Sequence, residues 1–451
     1  MTLKQVRDNP IRLTDVYNLS HTELKENVSF EISHIYNRGK GMILYGFNEI
    51  VTDLLDVKIE VDMVEEAESE AKKMGMHFPF QIWYDVATKL KGRIPLRVQA
   101  LPDGTWVPKG TPFAQIGNTE DGYGELVTWF EGVLLHSYFP SGCATEAFKI
   151  RKYLEKKRLS LHRVHSFGFR GHQSLESAYW AGTAWNLFLT GTDDFHTKFH
   201  TPNAEISSIP ATAHKVIQQF DDEFEGFIRA IDVGATYENK MVALVIDTYD
   251  PIRVIDEMAG KLITYAKNKG VHIVFRPDSG DLMDQAIKIW NRYKYADNWS
   301  MIIGEGMSLD KMIEYDNFLE LAGYPLERMA YGIGAGFYKH IDRDYLGHAM
   351  KTAYSNGKDR MKLTSSYKQS IPGNVNLIME DNLMTADYTR DGLYQDIYYF
   401  NARSDRQEII RQDWDDIQKI ALSNLGKELQ ENIVQSHLIQ TNINTFKEKY
   451  L

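Results

Sequence analysis

Cysteine is almost missing from this chain: Cys143 stands alone among 451 residues. A single thiol excludes an internal disulfide and a zinc site built from cysteines, and such usage suits a reducing cytosol. Cys143 itself reads as a small buried hydrophobe. Long apolar runs are lacking too. MVALVI (241–246) is among the longest, far short of the ~18 residues of a membrane helix, so no membrane partner is expected. The opening MTLKQVRDNPIRLTD has neither an apolar core nor a small-residue cleavage site, so no signal peptide is expected. Positive charge is also in deficit, with 51 basic against 62 acidic residues and a net charge of −11. That argues against general nucleic-acid binding, which rests on neutralising phosphates. A small polyanion can still be held by local basic residues in a cleft. The pairs His162/His165 and His196/His200 lack a glutamate motif and further partners at zinc spacing.

What is present describes a globular enzyme, with 43% hydrophobic and 12% aromatic residues. The length exceeds one ordinary core, so two lobes are expected. The first 95 residues carry helical patterns at 44–55, 61–73 and 81–91. Residues 95–119 alternate, with Asp103-Gly104 and Lys109-Gly110 as turns, and read as antiparallel hairpin strands. A helical pattern covers 125–158 with a break expected at Pro140-Ser141-Gly142.

From Arg163 the rhythm changes to strand, polar strand end and helix. Asp247, Arg276, Glu305 and Gly334 mark four successive strand ends, each 29 residues after the one before. A unit of that length with no shared sequence is the βαβ repeat of a parallel sheet, not a solenoid. The chain then returns to a hairpin around Asn356-Gly357, a strand near 375–379, and helices over 413–425 and 429–437. The expected architecture is α/β. It has an irregular TIM-like barrel over 161–345 carrying the active site, and a second α+β lobe built from 1–160 and 346–451.

Ligands of such sheets gather at the C-terminal ends of the strands. That rule puts Phe167, Arg170, Asp193, Asp247, Asp250, Arg276, Asp278, Glu305, Gly332, Gly334 and Gly336 on one rim. The segment VHIVFRPDSGD (271–281) is its clearest member: a buried strand breaking into arginine and aspartates, suited to an anionic ligand rich in hydroxyls. Asp278 and Asp281 read equally as helix caps. The run Gly332-Ile333-Gly334-Ala335-Gly336 lets backbone N–H groups approach an anion, although such runs are also common tight turns. Arg343, Lys351 and Lys362 could complete that site or be solvated charges. His214 reads as a loop histidine.

In chain order the motifs are His165-Ser166-Phe167-Gly168-Phe169-Arg170-Gly171, Gly191-Thr192-Asp193, Pro210–His214, Asp247-Thr248-Tyr249-Asp250, Arg276-Pro277-Asp278-Ser279-Gly280, Gly304-Glu305-Gly306 and the glycine run. With Thr14-Asp15-Val16-Tyr17 near the start, this ordered set resembles the nicotinamide phosphoribosyltransferase family, over about residues 10–365. The resemblance implies transfer of phosphoribose from 5-phosphoribosyl-1-pyrophosphate to nicotinamide, with Mg²⁺, with ATP as a coupling nucleotide, and in a homodimer with shared active sites. It implies that Phe167 and the partner's Tyr17 sandwich the pyridine ring, while Arg276 and Asp193 hold the carboxamide. Asp278 and Glu305 would take ribose hydroxyls or the metal, and Asp247 and Gly304 would also bind substrate. Gly334, Gly336 and Arg343 would take the 5′-phosphate, Arg170 the phosphates, and Lys351 and Lys362 would reach across the dimer. His214 would be the phosphorylated histidine, grouped with Arg276 and Asp278 as catalytic.

Two departures stand out: Glu305 replaces the family's aspartate, and Ala213 replaces the glutamate usual before His214. Rival readings are a nicotinate phosphoribosyltransferase and a nucleotide sensor without turnover. A barrel aldolase would want a lysine at a strand end, and none stands on the four regular strands.

Overall fold

The computed structural model describes residues 9–25, 28–364, 368–389 and 391–450. The first eight residues of the opening stretch read above for a signal peptide lie outside them. Two compact units divide the chain, Glu146–Lys339 and Met1–Thr145 with His340–Leu451. The sequence reading set the boundaries at 160/161 and 345/346; the first division instead falls inside the helix Tyr138–Lys157. That helix also corrects the expected break at Pro140. Proline here sits in the first helical turn, where its missing N–H has no intrahelical acceptor to lose.

In the Glu146–Lys339 unit, six parallel strands form one curled, half-barrel sheet. Their spatial order is Gly191–Thr192, Val164–Ser166, Met329–Ile333, Trp299–Ile303, His272–Arg276, Met241–Val245. The pairs Ser166 with Thr192, Ile333 with Ser166, Ile303 with Tyr331 and Val245 with Arg276 bring all six C-terminal ends to one edge. The 29-residue spacing arises because each of the last three strands follows a helix of similar length: Ala259–Asn268, Leu282–Tyr293 and Leu309–Leu321. Asp281 starts the second of these by accepting the Asp284 N–H at 2.9 Å, and Ser308 starts the third. Asp281 and Asp250 are therefore capping acids, the latter accepting from Ile252 and Arg253.

Both edges of the sheet are bound by one irregular segment, 204–212. Thr192 N–H donates to the Ser207 carbonyl (3.0 Å) and Ser207 N–H to Thr190 (2.8 Å). At the other edge, Ala243 N–H donates to Pro210 and Thr212 N–H to Ala243, each at 2.8 Å. Strand edges left open would expose unpaired backbone groups, and this segment satisfies part of both.

Alternation along the strands decides what faces inward. Ile273, Phe275, Met301, Ile303 and Tyr331 are fully buried, each contributing roughly 1.5–3 kcal/mol of burial free energy. On the opposite parity Ala243, Val274 and Ile302 form the inner cluster with Ala330, Met241, Ile209 and Phe167. Because several inner positions are as small as Ala211, Ala243, Ser300 and Ala330, a cavity of about 530 Å³ remains inside the sheet.

In the other unit a seven-stranded antiparallel sheet takes strands from both ends of the chain. Its order is Lys358–Asp359, His348–Ser355, Glu31–Asn37, Pro112–Asn118, Leu96–Ala100, Gln395–Asn401, Arg406–Ile409. The Asn356-Gly357 turn has φ of 48° and 79°, the positive values that a tight hairpin turn demands and that this residue pair tolerates. The helix expected over 429–437 is not formed. Glu431 and Ile433 are instead hydrogen-bonded to Lys109, Val434–Gln435 pairs with the strand Leu383–Asp387, and the helix runs over His437–Tyr450. Among the described residues no helix is long and apolar enough to cross a membrane.

Candidate active site

Phe167 comes directly after the strand Val164–Ser166 and lines the cavity with Asp193 and Arg276. Its backbone is pinned by an N–H bond to the Ile333 carbonyl at 2.8 Å. The turn that follows is fixed by Asp194, a buried carboxylate that accepts the Ser166 hydroxyl at 2.5 Å and the Phe169 N–H at 3.0 Å. Asp194 was not among the candidate site residues read from the sequence, which took its neighbour Asp193. Asp193 is exposed to the cavity mouth, and its Oδ1 accepts the Ser208 hydroxyl at 2.5 Å. Ser208 lies on the segment that bridges the sheet edges, so closing the sheet and orienting this carboxylate are one event.

Arg276 ends its strand, and its Nη2 donates to Asp278 Oδ2 at 3.2 Å. Its Nε is buried without an acceptor among the described residues. A buried donor left unmade costs roughly 1–3 kcal/mol, more for a charged group, so this N–H is set to receive a ligand acceptor. Deeper in the cavity, His165 is half-buried, and its desolvation lowers the pKa despite the opposing Asp193 charge. The neutral ring suits a slot for a neutral pyridine.

Beside Arg276 lies the one histidine–carboxylate cluster of metal-binding geometry among the described residues. His214, Asp247 and Asp278 each offer a ligand atom within 4.8 Å of the others. His214 Nε2 is 3.9 Å from both Asp247 Oδ1 and Asp278 Oδ2, while its Nδ1 meets the Thr248 hydroxyl at 3.1 Å. Asp247 is nearly fully buried. Its Oδ2 accepts the Ser279 hydroxyl at 2.5 Å, and its Oδ1 has no hydrogen-bond donor among the described residues. An orphaned buried carboxylate oxygen beside a second carboxylate fits a divalent cation. Mg²⁺ prefers such oxygens to imidazole, which leaves the His214 nitrogen available.

The remaining predicted residues divide by unit. Gly304 lies next to the Phe167 ring, where an added Cβ would sit at 3.6 Å. Glu305 is exposed, outside the cavity, and its backbone carbonyl accepts Lys311 Nζ at 3.4 Å. Gly334 and Gly336 form the turn Ala335–Tyr338 and its cap, and a Cβ at either would meet nothing within 4 Å. Neither needs positive φ, so what distinguishes them is open space above their backbone. Exposed Arg170 belongs to the neighbouring turn Phe169–Gly171, whose Gly171 approaches Ala335.

Tyr17, Arg343, Lys351 and Lys362 belong to the other unit, and Tyr17 is exposed there. Arg343, Lys351 and Lys362 line a cavity of about 420 Å³ together with Arg38, Lys368 and Glu131, which the sequence reading missed. Burial depresses the pKa of Lys351, and the charges of Arg38, Lys362 and Arg343 add to this against Glu131. Such a pocket favours an anion that relieves the mutual repulsion.

These geometries have counterparts in known proteins. Residues 162–372 match the model of the nicotinate phosphoribosyltransferase (NAPRTase) family. A nicotinamide phosphoribosyltransferase of Xanthomonas campestris pv. campestris is 26% identical over 379 residues, covering 76% of this chain and 81% of that protein. One from Acinetobacter baylyi is 26% identical over 369 residues, covering 70% and 71%. The crystal structure of human nicotinic acid phosphoribosyltransferase superposes with a TM-score of 0.64 at 16% identity, covering 96% of this chain and 99% of that one. At that identity the likeness speaks to the fold alone. The stretch similar to the NAPRTase family model thus spans all six strands of the parallel sheet, from Val164–Ser166 to Met329–Ile333.

Proposed function

We propose that the chain transfers phosphoribose from 5-phosphoribosyl-1-pyrophosphate to nicotinamide, giving nicotinamide mononucleotide and pyrophosphate. The carrying observation is Asp193, a carboxylate held by Ser208 at the mouth of the cavity that Phe167 and Arg276 also line. A carboxylate accepts hydrogen bonds from an amide NH₂ and repels a substrate carboxylate, while Arg276 Nε can donate to the amide oxygen. The names of the relatives favour the same substrate.

The pyridine nitrogen is itself the nucleophile. It attacks the anomeric carbon as the bond to the pyrophosphate oxygen breaks, so no general base is needed. Catalysis then rests on positioning and on charges matched to the leaving group. Phe167 supplies a face for the ring, worth about 0.5–1.5 kcal/mol beyond burial. Open backbone at Gly334 and Gly336, with Arg170 near, suits phosphate oxygens. Asp247 and Asp278 would hold Mg²⁺, which neutralises pyrophosphate charge when bound.

In this reading the half-barrel and its bridging segment are the irregular α/β barrel, and the other unit contributes to a homodimer interface. Tyr17 and the Lys351/Lys362 pocket of one protomer would then complete the site of its partner. A cytosolic location accords with the single cysteine. Incubating the protein with phosphoribosyl pyrophosphate, Mg²⁺ and either base should yield nicotinamide mononucleotide by mass. Product from nicotinate alone would replace this reading by the nicotinate one, and no product from either would leave the sensor.

His214 is assigned to ATP coupling, its Nε2 taking the γ-phosphoryl group as the bond to ADP breaks. Asp247 and Asp278 face that nitrogen, supplying carboxylates where Ala213 cannot. ATP is expected to lower the apparent KM for nicotinamide severalfold in the wild type and to have no effect in His214→Ala. An unchanged ATP response in that variant would remove the role.

A further inference from the structure

Gly332 was grouped with Gly334 and Gly336 as backbone opened to an anion, yet its surroundings differ from theirs. A Cβ at 334 or 336 would enter open space, whereas one at 332 would lie 2.2 Å from Phe167 Cε2 and 2.3 Å from Cδ2. Real Cβ atoms do not approach other atoms so closely, so the aromatic ring occupies the space that a side chain at 332 would need. On its strand Gly332 has the same parity as Ala330, which faces the cavity. The Cδ2–Cε2 edge of the ring therefore lies against Gly332 of the strand Met329–Ile333, where Phe167 lines the cavity.

We infer that Gly332 is a positioning residue for the pyridine ring, setting through Phe167 the depth of the slot into which the base stacks. This rests on the phosphoribosyl-transfer reading for its ligand, though not for its steric content. Phe167 cannot retreat by moving its backbone. Its N–H is bonded to Ile333, and the preceding carbonyl of Ser166 accepts the Asp193 N–H at 2.9 Å. Phe167 packs against the cluster of Ala243, Val274 and Ile302 on the inner side. With these routes closed, a methyl group at 332 drives the ring by about an ångström toward the space assigned to the base. A misplacement of that size costs up to about a hundredfold in rate.

The test is kinetic and structural together. Gly332→Ala should raise the KM for nicotinamide at least tenfold while leaving the KM for phosphoribosyl pyrophosphate within twofold, a split that general loss of structure would not give. In a Phe167→Leu background the same substitution should change the nicotinamide KM less than twofold, because the crowding partner is gone. An unchanged KM in the single variant, or equal losses in both backgrounds, overturns the inference. If Gly332→Ala does not fold, recovery of folding in the Phe167→Leu double variant supports it, and failure of both overturns it. A crystal structure of Gly332→Ala reads the ring directly. Should the wild type make no mononucleotide, the reaction reading falls, while an unmoved Phe167 in that crystal structure would sink the inference on its own terms.

Discussion

Asp193→Asn is expected to cut the preference for nicotinamide over nicotinate, as a ratio of kcat/KM values, by about ten- to a hundredfold. The effect is electrostatic, and its size depends on how wet the carboxylate is. Two unit charges ~4 Å apart repel by about 4 kcal/mol at an effective dielectric of 20, and by about 1 kcal/mol in bulk water. The fold places Asp193 at an exposed mouth, so the expectation moves between the limits, to about 1.4–2.7 kcal/mol, or one to two decades. Asparagine keeps the size and an oxygen for Ser208 to bond, and it removes the charge. The nicotinamide rate should fall modestly while the nicotinate rate rises. Measuring both bases side by side with phosphoribosyl pyrophosphate decides it, and an unchanged ratio would mean that selection is made elsewhere.

Why this carboxylate could be picked out in advance, and Ser208 could not, is a matter of what leaves a pattern. The parallel strands alternate with helices of nearly constant length, so their polar ends recur and Asp247, Arg276, Glu305 and Gly334 fall on a countable period. A rim follows from the rule that parallel strands end together, and the pairing of Val245 with Arg276 and of Ile303 with Tyr331 realises it. Segment 204–212 closes on both sheet edges chiefly through backbone groups, with Thr212 Oγ1 also accepting the Val245 N–H at 2.8 Å. Backbone hydrogen bonds impose no side-chain alternation, so the segment reads as loop and its Ser208 as loop serine. Ser279 on Asp247 and Thr248 on His214 are hidden likewise: short hydroxyls carry no spacing signal. The cationic pocket with Arg38, Lys351 and Lys368 draws on strands and turns more than 300 residues apart, which no local window links.

Glu305 shows the converse, a residue chosen by period that lies outside the cavity and turns its carbonyl to Lys311. Period locates a strand end and says nothing of which way a side chain leaves it.

Asp316→Ala is expected to destabilise the chain by about 3–5 kcal/mol, a large share of the roughly 5–15 kcal/mol that holds a domain folded. Asp316 did not stand out in the sequence, yet it is an acid on the stripe Met312, Asp316, Leu319 that the helix Leu309–Leu321 buries. Its oxygens take the Arg163 guanidinium at 2.8 and 3.2 Å, the Tyr331 hydroxyl at 2.7 Å and the Tyr153 hydroxyl at 2.8 Å. Arg163 Nε meanwhile donates to the Met329 carbonyl at 2.7 Å. The cluster ties an outer helix to the start of the strand leading to Phe167 and to the strand holding Gly332. Both charges are almost wholly out of water. Burial and the carboxylate each raise the pKa of Tyr331, keeping it a neutral donor. Alanine at 316 strands a buried guanidinium and two hydroxyls, which is what makes the loss large; the net worth of the pair itself is small. Arg163→Met combined with Asp316→Leu should therefore cost less than Asp316→Ala alone. Urea midpoints with unchanged slopes would measure both. A loss below about 1 kcal/mol for the single variant would show that water reaches Arg163 and that this cluster does not brace the strands bearing the site.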